Sequence, residues 1–156
     1  MIERQLGRPP RAVAGVAVRC PYGRPAVVEQ HSYLDDGQPF PTLYYLTCPN
    51  AVARISALED AGGVDRYERL LRDEPAMAES YRAGGERQCQ LRRPAARMRD
   101  GGASLRLGIG GTARDGAVKC LHAHAAFALA EPGYALGRRI LDEAAPLYPA
   151  GGCCSA

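Results

Sequence analysis

Three short segments in the first third of the chain combine apolar and β-branched residues and are separated by turn signals. Residues 12–19 (AVAGVAVR) contain small and β-branched side chains, and residues 26–34 (AVVEQHSYL) follow the turn sequence CPYGRP. Residues 40–48 (FPTLYYLTC) follow a second turn, DDGQP, and carry Thr and Tyr residues that favour an extended, half-buried backbone. Because short turns join consecutive strands in opposite directions, the pattern predicts a three-stranded antiparallel meander.

A helical period replaces the strand pattern after these segments. Val52, Ile55 and Leu58 recur at helical spacing within residues 49–63, and two glycines at the end of this run are typical of a helix C-cap. Residues 64–75 (VDRYERLLRDEP) predict a second, amphipathic helix that stops before its proline. The chain is therefore expected to change from strands to helices near residue 49.

The second half of the chain is expected to be helical with one long loop. Residues 76–99 are polar and arginine-rich and are interrupted by two glycines and a proline, so they predict one or two exposed helices. A loop over residues 100–116 precedes a predicted helix over residues 116–130, for which Asp115 is a suitable N-cap. Residues 134–145 predict the last helix.

The length and composition fit one globular unit. At 156 residues, with 46% hydrophobic and 24% charged residues, the chain is about one ordinary domain long. We expect a single α+β domain over residues 1–150, with the meander first and four to five helices after it, and a flexible tail over residues 151–156. No apolar run reaches the roughly 20 residues of a membrane-spanning helix, and no signal peptide is evident. These features predict a cytoplasmic protein without membrane association.

The charge of the chain gives weak information about partners. The net charge is +3, and all but one of the 20 basic residues are arginine, the exception being Lys119. With 18 glycines and 12 prolines, this indicates a compositional bias rather than a nucleic-acid surface. The arginines of residues 82–106 alternate with acidic residues and glycines, which is typical of a solvated helix. An interaction module for a protein partner remains a hypothesis for this region.

Cysteine and histidine residues are the strongest candidates for chemistry. In a reducing compartment, dispersed cysteines are more often buried residues, metal ligands or reactive thiols than disulfides. Cys20 and Cys48 each end a predicted strand, and Cys120 and His124 are separated by one helical turn. A thiolate and an imidazole at that spacing can share one ion. Cys20, Cys48, Cys120 and His124, with His122 as the alternate, form a candidate zinc site, and an iron–sulfur cluster is the less favoured alternative.

The same residues also have a purely structural interpretation. Cys20 and Cys48 would then be buried strand-end residues, and the imidazole of His124 would bond to a backbone carbonyl group. The chain has no CxxC pair, and dispersed ligands are less diagnostic than paired ones, so the residues alone favour this interpretation. Cys153 and Cys154 allow a ligand pair, redox-active thiols or a flexible tail, and adjacent cysteines rarely bridge each other.

Lys119, Cys120 and His122 suggest a second kind of chemistry. A nearby cation or a helix N-terminus favours the thiolate form of a cysteine, and a histidine can act as its general base. The three residues are therefore candidate catalytic residues of a cysteine- and histidine-dependent enzyme. Adjacent residues on a helix point about 100° apart, however, so a direct pair between the lysine and the cysteine is not expected.

A glycine-rich loop is the candidate binding site for the substrate of such an enzyme. In residues 107–111 (LGIGG), backbone N–H groups could converge on an anion, and arginines flank the loop. The loop matches neither the Walker motif nor the dinucleotide-binding motif, and a flexible connection explains it equally well. The candidate anion-binding residues are Gly108, Gly110 and Gly111. The corresponding hypothesis is an enzyme that acts on a small anionic substrate, such as a phosphorylated one.

Four segments together resemble a known family: CPYGRPAVVEQ, PFPTLYYLTCP, LGIGG and KCLHAHAAFALA. The chain resembles a bacterial family of unknown function, domain-of-unknown-function family 501, which is common in actinobacteria. The resemblance covers nearly the whole chain. It implies that the residues matching Cys20, Cys48, Cys120, His122 and His124 belong to the family pattern, which favours a cysteine–histidine site. Genes of this family often lie near that of a septum-formation initiator protein, which suggests a partner in cell division and implies no reaction.

Overall fold

The computed structural model describes residues 1–154 and has the predicted α+β architecture. Within these residues, an antiparallel sheet is followed by five helices, and one further short helix precedes the sheet. The strands are β1 (Val13–Arg19), β2 (Pro25–Gln30) and β3 (Tyr44–Leu46). The helices are α1 (Ile2–Leu6), α2 (Pro49–Asp60), α3 (Gly63–Asp73), α4 (Pro75–Leu91), α5 (Leu121–Ala130) and α6 (Ala135–Ala144). The prediction of a meander followed by four to five helices is confirmed, whereas α1 was not predicted.

The sheet is a meander with β2 in the centre. Val28 of β2 pairs with Val16 of β1 on one side and with Tyr45 of β3 on the other, both antiparallel. The third strand is shorter than its predicted range of residues 40–48. Pro41 has no backbone N–H group to donate to a neighbouring strand, which is a physical reason for the late start of β3.

Helix α5 forms the centre of the core. Seven of its ten residues are buried, which fits a helix that is apolar on all sides. It packs between β3, α2 and α6, and the ring of Phe127 lies 5.7 Å from that of Tyr44 and 5.4 Å from that of Tyr134. The core therefore fixes the position of α5, and with it the loop before α5.

No helix within residues 1–154 is both long enough and apolar enough to cross a membrane.

Helix α4 corrects the expectation of interrupted, exposed helices over residues 76–99. It runs through Gly84 and Gly85 without a break, and Tyr81, Gly84 and Gln88 are buried. A Cβ atom on Gly84 would lie 2.5 Å from the ring of Tyr134, so this glycine permits a close approach between α4 and the residue before α6. Gly84 therefore serves packing here rather than helix termination.

The end of the chain is only partly described. Of the predicted tail, residues 155–156 lie outside the described residues. Cys153 is half-buried and packs against the core, and Cys154 is exposed. The boundary of the domain at residue 150 stays a prediction.

Candidate metal centre

The loop before α5 turns sharply and places Cys120 as the N-cap residue of that helix. Helix α5 begins at Leu121, five residues later than predicted. Lys119 has a φ of 56°, which is unusual for a residue with a side chain, and the N–H group of Cys120 donates to the carbonyl oxygen of Val118. Because Cys120 has an extended backbone, it does not share a helical stripe with His124 as predicted. The spacing argument for that pair was therefore wrong.

Cys120 lies instead next to His122 and to a glutamate of α2. Nδ1 of His122 is 3.2 Å from Oε1 of Glu59 and 4.0 Å from Sγ of Cys120. Each of these three residues offers one potential metal-ligand atom, and the three atoms all lie within 4.8 Å of one another. Within residues 1–154, they are the group of cysteine, histidine and acidic residues that meets this distance. All three residues are half-buried. We refer to Glu59, Cys120 and His122 as the ligand cluster.

The other ring nitrogen of His122 orients the imidazole. Nε2 lies 3.2 Å from the carbonyl oxygen of Val52 and 3.2 Å from Oγ of Ser56. Since a carbonyl oxygen can only accept, Nε2 is the nitrogen that carries the proton in the neutral ring. The lone pair of Nδ1 then points towards the cysteine and the glutamate. A backbone carbonyl that fixes the tautomer in this way is typical of the surroundings of a metal-bound histidine.

Glu59 has a second role at the start of α5. Its Oε1 accepts the N–H group of Leu121 at 2.6 Å, and this N–H group has no partner inside the helix. The carboxylate therefore holds α2 against the N-terminus of α5. Sequence reasoning missed Glu59, although Val52, Ser56 and Glu59 follow the i, i+4, i+7 spacing of one helix face.

The cluster perturbs the protonation of its histidine. The hydrogen bond to Cys120 raises the pKa of His122 to about 9, burial opposes this shift, and the carboxylate of Glu59 reinforces it. Without a metal, the imidazole is therefore protonated at neutral pH and sits as a cation between a carboxylate and a thiol. A site that stabilises this cation is electrostatically suited to a metal ion.

The ligand cluster borders a cleft. Cys120 and His122 line a cavity of about 340 Å³, together with Tyr45 and Leu46 at the sheet and Gly110 in the glycine-rich loop. The remaining walls are largely apolar. A small molecule in this cleft would therefore contact the thiol and the imidazole directly.

The other predicted metal ligands lie elsewhere. Cys20 and Cys48 are buried, and they do not form a group of mutually close ligand atoms with Cys120 and His124 within residues 1–154. His124 is fully buried, with Nδ1 2.6 Å from the hydroxyl of Tyr134 and Nε2 3.1 Å from a backbone carbonyl oxygen. Both ring nitrogens thus have protein partners, and burial lowers the pKa of His124 to about 4. Of the predicted set, the structure brings Cys120 together with the alternate, His122.

Two of the three candidate glycines of the glycine-rich loop use their N–H groups within the loop itself. The N–H group of Gly108 donates to the carbonyl oxygen of Thr112 at 2.8 Å, and that of Gly111 donates to Gly108 at 3.0 Å. These two N–H groups close a tight turn, and anion binding by this loop stays a prediction. A Cβ atom on Gly110 would lie 4.0 Å from that of Cys120, so the turn abuts the start of α5.

A family model described as "protein of unknown function (DUF501)" matches residues 16–142. The chain belongs to this family. The matched range contains Glu59, Cys120 and His122 and ends before Cys153 and Cys154. No curated protein and no solved structure is significantly similar to the chain. Because the family carries no assigned reaction, a function has to be argued from the site itself.

Proposed function

We propose that this protein binds a zinc ion through Glu59, Cys120 and His122. The observation that carries the proposal is the ligand cluster, in which Nδ1 of His122 faces a thiol and a carboxylate while Nε2 is held by a backbone carbonyl group. The ligands come from α2 and from the start of α5, two elements that the core packs together. The fold therefore positions them before any metal binds.

The distances between the ligand atoms suit zinc. Bonds of zinc to nitrogen, oxygen and sulfur are about 2.0–2.3 Å long, so the ligand atoms of a tetrahedral site are roughly 3.3–3.7 Å apart. The separations of 3.2 Å between Nδ1 and Oε1 and 4.0 Å between Nδ1 and Sγ lie close to this range. The third separation, between Sγ and Oε1, is at most 4.8 Å, so zinc binding requires the Cys120 side chain to move towards the other two ligands.

The charge and type of the ligands also support zinc. One carboxylate and one thiolate neutralise Zn²⁺, and the metal takes the place of the proton on His122. Iron–sulfur clusters are held by several thiolates, whereas the ligand cluster contains one. Three protein ligands would leave a fourth position open, and two of the ligands, Cys120 and His122, line the cleft. Such an open position is a property of catalytic rather than structural zinc sites.

The metal content of anaerobically purified protein tests this proposal. We expect about one equivalent of zinc in the wild-type protein and less than about a tenth of an equivalent in Cys120→Ser and in Glu59→Gln. Cobalt(II) substitution should give a sulfur-to-cobalt charge-transfer band that Cys120→Ser lacks.

Glu68→Gln is the matched control for Glu59→Gln. The carboxylate of Glu68 also accepts a backbone N–H group, that of Val118 at 3.1 Å, but it lies outside the ligand cluster. Glu68→Gln should keep its zinc. A folded wild-type protein with less than about a tenth of an equivalent of any transition metal, or equal losses in the two glutamine variants, would contradict the proposal.

Cysteine chemistry at Cys120 is a second candidate function. It is favoured by the position of this thiol at the N-cap of α5, beside the cleft and 4.0 Å from the imidazole of His122. The carboxylate of Glu59 occupies the N-terminus of α5 and repels anions. A neutral electrophile therefore suits this site better than the phosphorylated substrate that the sequence suggested.

Alkylation of the metal-free protein by iodoacetamide separates the two candidates. If His122 activates the thiol, His122→Gln should slow the labelling of Cys120 at neutral pH by at least about tenfold. If the cluster serves only as a metal site, the two metal-free proteins should be labelled at equal rates. Labelling of the half-buried Cys89 is the internal reference.

A further inference from the structure

The C-terminal segment, which we define as residues 145–154, follows α6 and passes over the start of α2. The guanidinium group of Arg54 donates to the carbonyl oxygens of Ala144 and Ala145, both at 2.8 Å. The side-chain amide of Asn50 donates to the carbonyl oxygen of Leu147 at 2.7 Å. Polar side chains of α2 thus hold the backbone at the beginning of this segment.

Further contacts guide the same segment towards the sheet. Leu147 and Tyr148 pack against the core, and the hydroxyl of Tyr22 donates to the carbonyl oxygen of Pro149. Tyr22 belongs to the turn between β1 and β2. The path of the segment is therefore fixed at several points by contacts that involve no cysteine.

This path brings two thiols together. Cys48 is the N-cap residue of α2 and is 2% exposed, and its Sγ lies 3.5 Å from Sγ of Cys154, an exposed residue 106 positions later in the chain. A disulfide bond is about 2.05 Å long, so the two sulfur atoms have to approach by roughly 1.5 Å. The neighbouring Cys153 packs against the core instead.

We propose that Cys48 and Cys154 are a site of oxidative modification, at which a peroxide converts the two thiols to a disulfide. The exposed sulfur of Cys154 attacks the peroxide, an S–O bond forms as the O–O bond breaks, and a sulfenic acid and one water result. The sulfur of Cys48 then displaces the hydroxyl group, which leaves as a second water. Overall, two thiols lose two electrons and two protons, and one hydrogen peroxide becomes two waters.

The different environments of the two thiols explain this order of steps. Burial raises the pKa of Cys48 to about 11, and the contact with Cys154 adds to the shift. Cys48 therefore remains a protected thiol that reacts with the partner it touches, whereas Cys154 meets the oxidant in solution. The bond would tie the C-terminal segment to the start of α2, and it uses none of the three ligands proposed for zinc.

Peroxide treatment of the full chain in the presence of a chelator tests the proposal. After non-reducing digestion, we expect the wild-type protein and Cys153→Ser to yield a peptide pair linked through Cys48 and Cys154, which dithiothreitol releases. Cys154→Ser should yield no linked pair. Because residue 154 is exposed, this variant should fold like the wild-type protein, whereas replacement of the buried Cys48 would disturb packing.

Thermal unfolding gives a second measurement on the same samples. Oxidation should raise the Tm of the wild-type protein and of Cys153→Ser by about 5 °C or more and leave that of Cys154→Ser unchanged. The proposal is overturned if the linkage forms through Cys153, if it joins two chains instead of one, or if peroxide oxidises Cys154 without producing the linked pair.

Discussion

His122 and His124 show how strongly the environment of a residue depends on the helix face it occupies. They are separated by one position, which on a helix corresponds to a rotation of about 200°. His122 points towards α2, where a thiol and a carboxylate raise its pKa to about 9. His124 points into the core, where burial lowers its pKa to about 4. At neutral pH the imidazole of His122 is therefore a cation and that of His124 is neutral.

The buried imidazole of His124 should make the protein sensitive to mild acid. At pH values well above 6.5 the ring is neutral in both the folded and the unfolded chain and contributes no pH dependence. As the pH falls from 6.5 to 4, the unfolded chain binds a proton that the folded protein excludes. The free energy of unfolding should therefore decrease by up to about 3 kcal/mol over this range.

Urea unfolding at several pH values measures this effect. His124→Gln should be less stable at neutral pH because a buried hydrogen-bonded ring is lost, but its stability should vary less with pH than that of the wild-type protein. The exposed His31 offers a control, since His31→Gln should retain the full pH dependence. Equal pH dependence in His124→Gln and the wild-type protein would contradict the assignment.

At the scale of elements, α4 and α5 show where local patterns mislead. A glycine pair usually weakens a helix, yet α4 continues through it because one of the two glycines faces Tyr134. Helix α5 begins later than its apolar pattern suggests because Lys119 adopts a left-handed conformation and Cys120 is extended. In both cases contacts with distant elements outweigh helix propensity.

Alanine substitutions at the two adjacent glycines of α4 should change the free energy of unfolding in opposite directions. In Gly84→Ala the new methyl group would lie 2.5 Å from the ring of Tyr134, so we expect a loss of about 1–3 kcal/mol in the free energy of unfolding. In Gly85→Ala the nearest atom, Cα of Gly108, is 3.9 Å away, so the better helix former should add about 0.5–1 kcal/mol. Denaturant unfolding compares the two variants, and a loss of similar size in both would show that the close approach is not the cause.

At the scale of the whole molecule, the ligand cluster connects parts of the chain that are far apart in sequence. Glu59 and Leu121 are 62 positions apart, and their hydrogen bond joins the end of α2 to the start of α5. The proposed metal would reinforce this junction. Because the ligands converge only in the folded protein, metal binding and folding should be coupled.

Removal of the metal should therefore destabilise the protein. A ligand present at 100 times its dissociation constant stabilises the folded state by about 2.7 kcal/mol, which for a chain of this size corresponds to roughly 5–10 °C in Tm. We expect a chelator to lower the Tm of the wild-type protein and of Glu68→Gln by this amount and to leave Glu59→Gln nearly unchanged. Calorimetry with and without chelator measures the shift, and an unchanged wild-type Tm would argue against a metal-coupled fold.

Local patterns in the sequence were sufficient to predict the meander and most of the helices, and they identified Cys120 and His122 as candidate site residues. Strand alternation, helical periodicity and turn residues act over a few neighbouring positions, so they can be interpreted without tertiary information. The motif KCLHAHAAFALA also carries part of the resemblance to the family that the chain belongs to.

Only the tertiary structure decided which residues meet. Glu59 lies beside Cys120 and His122 because α2 packs beside α5. His124 is buried in the core. Cys48 lies next to Cys154 because side chains of α2 hold the C-terminal segment. None of these contacts follows from spacing along the chain. Residues separated by tens of positions are brought together by the burial of apolar surface shared among several elements, and that packing is a property of the whole fold.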